Sequence, residues 1–252
     1  MNIKKSYRVQ HDHLQVKPSP GNLRKISILD NTLIFNGWGS EKEYYKNTAF
    51  HKDSFLFLNV LSDSVYTAIK YPDIYLNAIW GIQYFEIYHD VNPAKKELVI
   101  CYPIDNKFYI YDMRTGKIRS EIMNGAPELT VNPLSKNKSK ISIELFEEIT
   151  HVKSQSSYSG IKYFSDEEVY LRFVDLPIQE DILVSRDLFK ISFGPSKIQV
   201  ISKDFNFLDE VRIGENYNLS SLFFNDGKIY IEKIQFENED LLVYDIFELV
   251  FM

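Results

Sequence analysis

The side chains best suited to catalysis or ligand binding include a histidine and an aspartate that are adjacent in the sequence. His89 and Asp90 follow the strand-like run 83–88 and precede the turn-forming residues Asn92 and Pro93. A histidine at the end of a strand can act as a general base when a carboxylate orients its imidazole. The same pair is also typical of an outer turn in which both side chains only cap the chain. The sequence leaves these two interpretations open.

An isolated arginine and a tryptophan are further candidates for contact with a ligand. Arg172 lies between Leu171 and Phe173 in an otherwise apolar strand, so its charge must reach solvent, a carboxylate or a ligand. Trp38 has a glycine on either side, which permits a ligand to approach the backbone closely. Such a tryptophan can also pack against a neighbouring sheet. No catalytic residue is assigned, and the predicted ligand-binding residues are His89, Asp90, Arg172 and Trp38.

Recognisable enzyme and metal motifs do not occur in the sequence. His11 and His13 would face the same side of a strand, but no nearby residue supplies the third and fourth ligands of a zinc site. The Ser-Ser-Tyr-Ser-Gly run at 156–160 is not a Gly-x-Ser-x-Gly nucleophile elbow. The sequence also lacks a phosphate-binding loop, a dinucleotide fingerprint and a calcium loop. We therefore predict no metal and no cofactor.

Composition indicates a globular protein and narrows its partners. The 18 Phe, 17 Tyr and 2 Trp residues supply an ample core, which excludes disorder of the whole chain. The net charge of −6 is spread without a basic stripe, so nucleic acid is not an expected partner. Cys101 lies in an apolar run, where it is expected to be a small buried hydrophobe. No apolar stretch suits a signal peptide or a transmembrane helix of about 20 residues.

A polar turn followed by a short strand of aromatic and aliphatic residues recurs along the chain. The clearest copy is 105–112, and weaker copies begin at Asn31, Asp53, Lys96, Glu167 and Asp226. Period-2 patterning extends this to an almost continuous series of strands, with 141–149 open to either a helix or a strand. The predicted strands are 23–29, 32–36, 54–60, 64–69, 83–88, 97–102, 107–112, 117–122, 161–164, 168–174, 188–193, 197–202, 208–213, 219–224, 228–235 and 241–250.

Several of these strands are apolar on both faces, which restricts the architecture. Phe55 and Phe57 point one way while Leu56 and Leu58 point the other, so this strand needs cover on both sides. Stacked sheets in a sandwich or the radial blades of a propeller provide such cover. The strand copies at Asp53 and Lys96 begin 43 residues apart, close to the ~40 to 45 residues of a four-stranded blade. The spacing favours a propeller in which later blades carry long inserted loops.

Four ordered segments are similar to a known family, at 51–55, at 84–93 with 108–112, at 168–173, and at 219–224 with 227–231. In these segments the chain resembles an uncharacterised, TolB-like family of bacterial six-bladed β-propellers, the domain of unknown function 4221 family. The resemblance implies a propeller fold and, for many relatives, an exported lipoprotein at the cell envelope. It implies no known activity and no known catalytic residues. This chain looks shorter by a blade or more at its N-terminus and lacks the lipoprotein signal.

Pattern and resemblance together give one expectation for fold and two for function. We expect an all-β chain with a single β-propeller domain over 1–252, built from four-stranded antiparallel blades of the six-bladed type with an incomplete or divergent N-terminal part. The leading functional hypothesis is a monomeric, non-enzymatic binding or scaffold protein for a protein, peptide or glycan partner, in the cell envelope or periplasm. The alternative is a propeller hydrolase or lyase in which His89, Arg172 and a carboxylate from separate blades converge.

Overall fold

The computed structural model describes residues 17–18, 25–38, 49–125, 128–134, 145–185, 191–234 and 242–249. The chain divides into two compact units, Met1–Ile79 and Trp80–Met252. The predicted single domain over 1–252 therefore stays a prediction.

The first unit contains one antiparallel sheet, here called sheet 1. Its strands are β1 (Lys17–Pro18), β2 (Ser27–Leu29), β3 (Thr32–Trp38), β4 (Asp53–Asn59) and β5 (Val65–Lys70). β1 and β2 both pair with β3, and β4 lies between β3 and β5. Short 3₁₀ helices occupy Ala49–His51 and Asp73–Leu76. The side chains of 54–58 in β4 are all buried, which confirms the predicted strand with two apolar faces.

The described residues of the second unit form three antiparallel sheets, in which each strand pairs with its neighbours in the chain. Sheet 2 comprises β6 (Tyr88–Asn92), β7 (Glu97–Cys101), β8 (Lys107–Asp112) and β9 (Lys117–Ile122). Sheet 3 comprises β10 (Ser157–Phe164), β11 (Val169–Asp175), β12 (Ser196–Ser202) and β13 (Phe207–Ile213). Sheet 4 comprises β14 (Tyr217–Asn225), β15 (Lys228–Lys233) and β16 (Val243–Phe247). The described residues of this unit also form a 3₁₀ helix at Ile82–Phe85, α1 (Leu145–Lys153) and α2 (Glu180–Ser185).

Sheet 3 is packed on both faces, and alternation along β11 explains how. Tyr170 and Val174 belong to the apolar cluster that joins sheets 2 and 3. Leu171 and Phe173 belong to the cluster that joins sheets 3 and 4. The first strands of the three sheets lie side by side, since β10 contacts both β6 and β14. Each sheet thus uses its apolar faces to stack on its neighbour in the second unit.

The described residues form four sheets, whereas the sequence predicted the six-bladed type. β6 begins at Tyr88, β10 at Ser157 and β14 at Tyr217, so successive sheets begin about 60 to 70 residues apart. The extra length lies in long connections such as the one from β9 to β10, which contains α1, and the one from β11 to β12, which contains α2.

Two local predictions need correction, and a third is resolved. The predicted strand at 83–88 is instead the 3₁₀ helix Ile82–Phe85, whose Tyr84 hydroxyl donates to the carbonyl of Val152 in α1 at 3.3 Å. A short apolar run does not distinguish these structures by periodicity alone. The predicted strand at 188–193 lies partly outside the described residues, and 191–192 are helical. Within 141–149, the described residues from Leu145 onward adopt the helical alternative.

The close packing of β10 against β11 generates a stability prediction for Gly160. A Cβ atom on Gly160 would lie 2.3 Å from Cδ2 of Phe173, whereas one on Gly214 would meet nothing within 4 Å. Neither glycine has a positive φ, so steric fit is the main difference between them. We expect Gly160→Ala to lower the free energy of unfolding by about 1–3 kcal/mol in urea titrations. Gly214→Ala is the control, with a change within about 0.5 kcal/mol, and equal effects would contradict the packing.

Candidate functional site

Arg172 is fully buried on the face of β11 that packs against sheet 2. Its Nη2 donates to the carbonyl of Asp105 at 2.7 Å, and its Nη1 donates to the carbonyl of Asn106 at 3.0 Å. Its Nε donates to the sulfur of Cys101 at 3.2 Å. All three acceptors lie on β7 or on the loop between β7 and β8. The guanidinium therefore fastens sheet 3 to sheet 2.

Two aromatic rings complete the environment of this guanidinium. Cζ of Arg172 lies 3.1 Å from the ring centroid of Tyr158 and 4.4 Å from that of Phe108. A cation held over an aromatic face away from water gains about 2 kcal/mol from the ring quadrupole. The charge predicted to need solvent, a carboxylate or a ligand is instead accommodated by backbone carbonyls and ring faces.

The side chain of Asn106 holds the loop that supplies the carbonyls. Its Oδ1 accepts a hydrogen bond from the Tyr158 hydroxyl at 2.5 Å and another from the backbone N–H of Leu129 at 2.9 Å. Its Nδ2 donates to the carbonyl of Leu129 at 3.1 Å. On the same loop, the Asp105 carboxylate accepts from the Tyr109 hydroxyl at 2.7 Å. These bonds fix the carbonyls in the positions that receive the guanidinium.

Asp90 and His89 project from opposite faces of sheet 2. The Asp90 carboxylate accepts hydrogen bonds from the backbone N–H of Tyr163 in sheet 3 at 2.9 Å and from that of Val91 at 2.8 Å. His89 is also buried, but as the adjacent strand residue it points away from sheet 3. Asp90 is therefore a second link between sheets 2 and 3. Sheet 2 separates the imidazole of His89 from the guanidinium of Arg172.

The remaining sequence-predicted residues are not brought into this arrangement. Trp38 is the last residue of β3 in the first unit, and its side chain lies outside the described residues. His11 and His13 also lie outside them. Among the residues described, no group of three or more His, Cys, Asp and Glu side chains is placed to hold a metal ion. Ligand contact by Trp38 and by the other three candidates stays a prediction.

Burial controls the protonation of the titratable groups around Arg172. Burial raises the pKa of the Cys101 thiol, although the neighbouring guanidinium acts in the opposite direction. Burial likewise raises the pKa of Tyr158 to about 12. The pKa of Tyr170 is raised above its usual value for the same reason. These three groups remain protonated near neutral pH, where general acid–base catalysis calls for a pKa close to the working pH.

Sequence reasoning missed several polar residues between sheets 2 and 3. Asn106 and Asp105 sit in an ordinary turn, so nothing in the sequence marks them as partners of Arg172. Gln199 is fully buried and lies directly beside Arg172 in the register of β11 and β12. Its side-chain amide has no hydrogen-bond partner in the described part of the chain. A glutamine within the otherwise apolar strand β12 was the feature of the sequence that could have identified this buried polar position.

A small cleft opens at one end of sheet 3, outside the packed interface. It has a volume of about 250 Å³, and its lining includes Pro177, Ile178, Ile182, Pro195, Arg212 and Glu215. Two backbone hydrogen bonds fix its walls, from Leu176 N to the carbonyl of Pro195 at 2.9 Å and from Asn216 N to the carbonyl of Phe193 at 3.0 Å. Arg212 and Glu215 are exposed and provide opposite charges, and Gln179 adds a further polar group to the lining. The cleft therefore offers both polar and apolar contacts to a small group.

Comparison with known proteins identifies the fold. No protein-family model matches the chain, and no curated protein matches it. A crystal structure of a member of the domain of unknown function 4221 family from Bacteroides vulgatus is similar at 18% identity, with a TM-score of 0.67 over 90% of this chain. The chain spans 64% of the length of that protein. This likeness, together with the antiparallel sheets, shows a β-propeller with four-stranded blades.

Two more distant structures are also similar. The acylaminoacyl peptidase of Pyrococcus horikoshii has a TM-score of 0.45 at 10% identity, over 88% of this chain and 29% of that one. The Cps50 (Swd1) β-propeller domain of Myceliophteria thermophila has a TM-score of 0.42 at 10% identity, over 89% of this chain and 59% of that one.

Within the described residues, no helix combines the length and apolar character that crossing a bilayer requires.

The buried guanidinium generates a prediction about stability. Arg172→Met leaves the carbonyls of Asp105 and Asn106 without their donor and removes both cation–π contacts. We expect the free energy of unfolding in urea to fall by about 2–4 kcal/mol. Arg114→Met is the matched control, because Arg114 is 69% exposed and pairs with the nearby Asp112, so its loss costs less than about 0.5 kcal/mol.

The thiol of Cys101 gives an independent readout of the same contact. Cys101 accepts from Arg172 and is buried, so alkylation by iodoacetamide requires local separation of sheets 2 and 3. Arg172→Met should accelerate labelling, whereas Arg114→Met should leave the rate unchanged. Equal stabilities and equal labelling rates in the two variants would contradict the assigned role of Arg172.

The raised pKa of Tyr158 predicts a specific pH dependence. In the unfolded chain a tyrosine ionises near pH 10, whereas folded Tyr158 keeps its proton until about pH 12. Its contribution to stability is therefore complete below pH ~10 and is lost as the pH rises to about 12. Tyr158→Phe lacks this titration, so urea titrations should show the two proteins converging in stability between these pH values. Parallel curves for the two proteins would contradict the assignment.

Proposed function

We propose that this chain is a non-enzymatic binding propeller for an extended segment of a protein or peptide partner. The proposal rests on where the structure places the residues that could take part in catalysis. Arg172 and Asp90 are engaged in links between sheets 2 and 3, and His89 lies on the far face of sheet 2. The alternative of a hydrolase or lyase requires His89 and Arg172 to converge, and sheet 2 stands between them.

The cleft at the end of sheet 3 is the proposed contact for this partner. Small-molecule and cofactor sites usually enclose about 300–1,000 Å³. A cleft of about 250 Å³ is smaller than these and suits one or two side chains of a peptide. Its lining within the described part of the chain includes Ile178, Ile182 and Pro195 but no aromatic ring on which a sugar could stack, which favours a peptide over a glycan. Loops at the ends of sheets commonly carry binding residues on a rigid scaffold.

The finer expectations about cellular context rest on the family resemblance and remain part of the proposal. On that basis we place the protein in the cell envelope or periplasm of a bacterium, as a TolB-like, lipoprotein-related monomer. We also propose that residues 1–252 act as one propeller domain. The domain of unknown function 4221 protein that the chain is similar to supports the fold for this proposal at 18% identity.

A selection from a random peptide library displayed on phage tests the proposal. Enriched peptides should bind the full chain, and Arg212→Ala or Glu215→Ala should weaken their binding about fivefold, a difference of about 1 kcal/mol. Both residues are exposed, so these variants should fold normally. Arg114→Ala, an exposed change on the β8–β9 turn, is the matched control and should leave binding unchanged.

Three outcomes of this selection would count against the proposal. They are no enrichment of any peptide, equal binding by the cleft and control variants, and exclusive binding to a glycan array. Turnover of a hydrolase or lyase substrate panel, lost in His89→Ala, would instead support the enzyme alternative.

A further inference from the structure

Sheet 4 has fewer described strands than the other sheets of its unit. Sheets 2 and 3 each contain four strands, while the described residues of sheet 4 form three, in the order β14, β15, β16. β14 contacts β10, as β6 does, so β14 holds the first position of its sheet. The position without a described strand is therefore the outer one, beside β16, which corresponds to β9 in sheet 2 and β13 in sheet 3.

Apolar side chains are uncovered around this outer position. Val211 on β13 pairs with Ile198, a member of the cluster between sheets 3 and 4, so it faces sheet 4. Val211 is nevertheless 47% exposed, and Ile246 on β16 is 56% exposed. A fourth strand beside β16 would cover apolar surface on Val211 that the present three strands leave open.

β16, the outermost described strand of sheet 4, has no lysine, proline or bulge, and its one charged residue is Asp245, on the face toward sheet 3. Natural edge strands are protected by charges, above all lysine, by proline or by a bulge. β16 reads Val-Tyr-Asp-Ile-Phe, and its five residues pair with β15 in an unbroken register. The outer edge of such a strand offers backbone donors and acceptors to another extended segment.

The charge at the centre of β16 indicates which segment can bind. Asp245 is the middle residue, so a two-fold antiparallel pairing of all five residues with a second copy would set Asp245 against itself. Like charges directly opposite each other destabilise a strand pair, which argues against self-association. Asp245 accepts from Tyr217 and lies 4.0 Å from Lys233, yet its side chain remains 39% exposed. A lysine or arginine on an added strand can therefore reach it.

We infer that β16 is the docking edge for an extended segment of a partner protein, which adds to sheet 4 as a fourth strand. The segment places a lysine or arginine opposite Asp245, on the face toward sheet 3 and Val211, and its alternating apolar residues lie beside Ile246 on the other face. The inference rests on the proposed function for the kind of partner. It uses a surface separate from the cleft at the end of sheet 3.

The direct test is binding of a designed peptide to the full chain by fluorescence anisotropy. The probe is Thr-Val-Thr-Val-Lys-Val-Thr-Val-Thr, and its comparison peptide has Glu in place of Lys. We expect the Lys peptide to bind about fivefold more tightly, and Asp245→Lys to reverse this preference. Ile246→Lys places a protective charge on the edge and should weaken both peptides. Ile122→Lys, at a 52% exposed position of the outer strand β9, is the matched control and should change neither.

Further measurements separate strand addition from other occupants. A peptide N-methylated on the edge-facing amides should not bind, and equal binding would overturn the inference. Hydrogen exchange that finds the outward amides of β16 already protected in the free chain would assign the edge to the chain's own residues. A dimer in sedimentation that Ile246→Lys abolishes would assign it to a second copy. Arg212→Ala should leave binding of the designed peptide intact. The experiments therefore distinguish a failure of the proposed binding at the cleft from a failure of strand addition at β16.

Discussion

The buried guanidinium of Arg172 is the constraint around which the second unit is organised. A charge in a fully buried position is stable only when its surroundings supply compensating partial charges. Here they come from two backbone carbonyls, a thiol and two ring faces, and Asn106 also accepts a hydrogen bond from the hydroxyl of one of these rings, Tyr158. Sheets 2 and 3 must therefore pack in one particular register, since any displacement would leave the charge unsatisfied.

This constraint has a consequence for function. Polar residues that could have formed a reactive centre are used to define the stacking of sheets: Arg172 and Asp90 link sheets 2 and 3, and Asn92 adds a bond from its amide to the Tyr170 hydroxyl at 3.0 Å. The proposed binding surfaces lie instead at an end and an edge of the sheets, in the small cleft beside α2 and along the outer edge of β16.

The sequence predicted the repeated strands well because period-2 burial is a local property. β4 and β8 were recognisable from apolar residues and flanking turns. The number of sheets was not predictable, because long connections with short helices break the regular spacing. Arg172 could be singled out as an anomaly, but its acceptors are backbone carbonyls 66 and 67 positions away, which leave no side-chain signature. The sequence could not show that His89 and Asp90 face opposite sides of sheet 2. The pattern placed the strand at 83–88, before these two residues, whereas both lie within β6.

The most direct test of the central claim is the exchange of the Nε–H proton of Arg172 with solvent, followed by NMR in the full chain with and without a bound peptide. If the guanidinium is a structural link, this proton should exchange as slowly as the best-protected backbone amides of β11, and its chemical shift should not change when peptide binds. Exchange at the rate of an exposed arginine such as Arg114, or a shift on peptide binding, would contradict the account and support the prediction that Arg172 contacts a ligand.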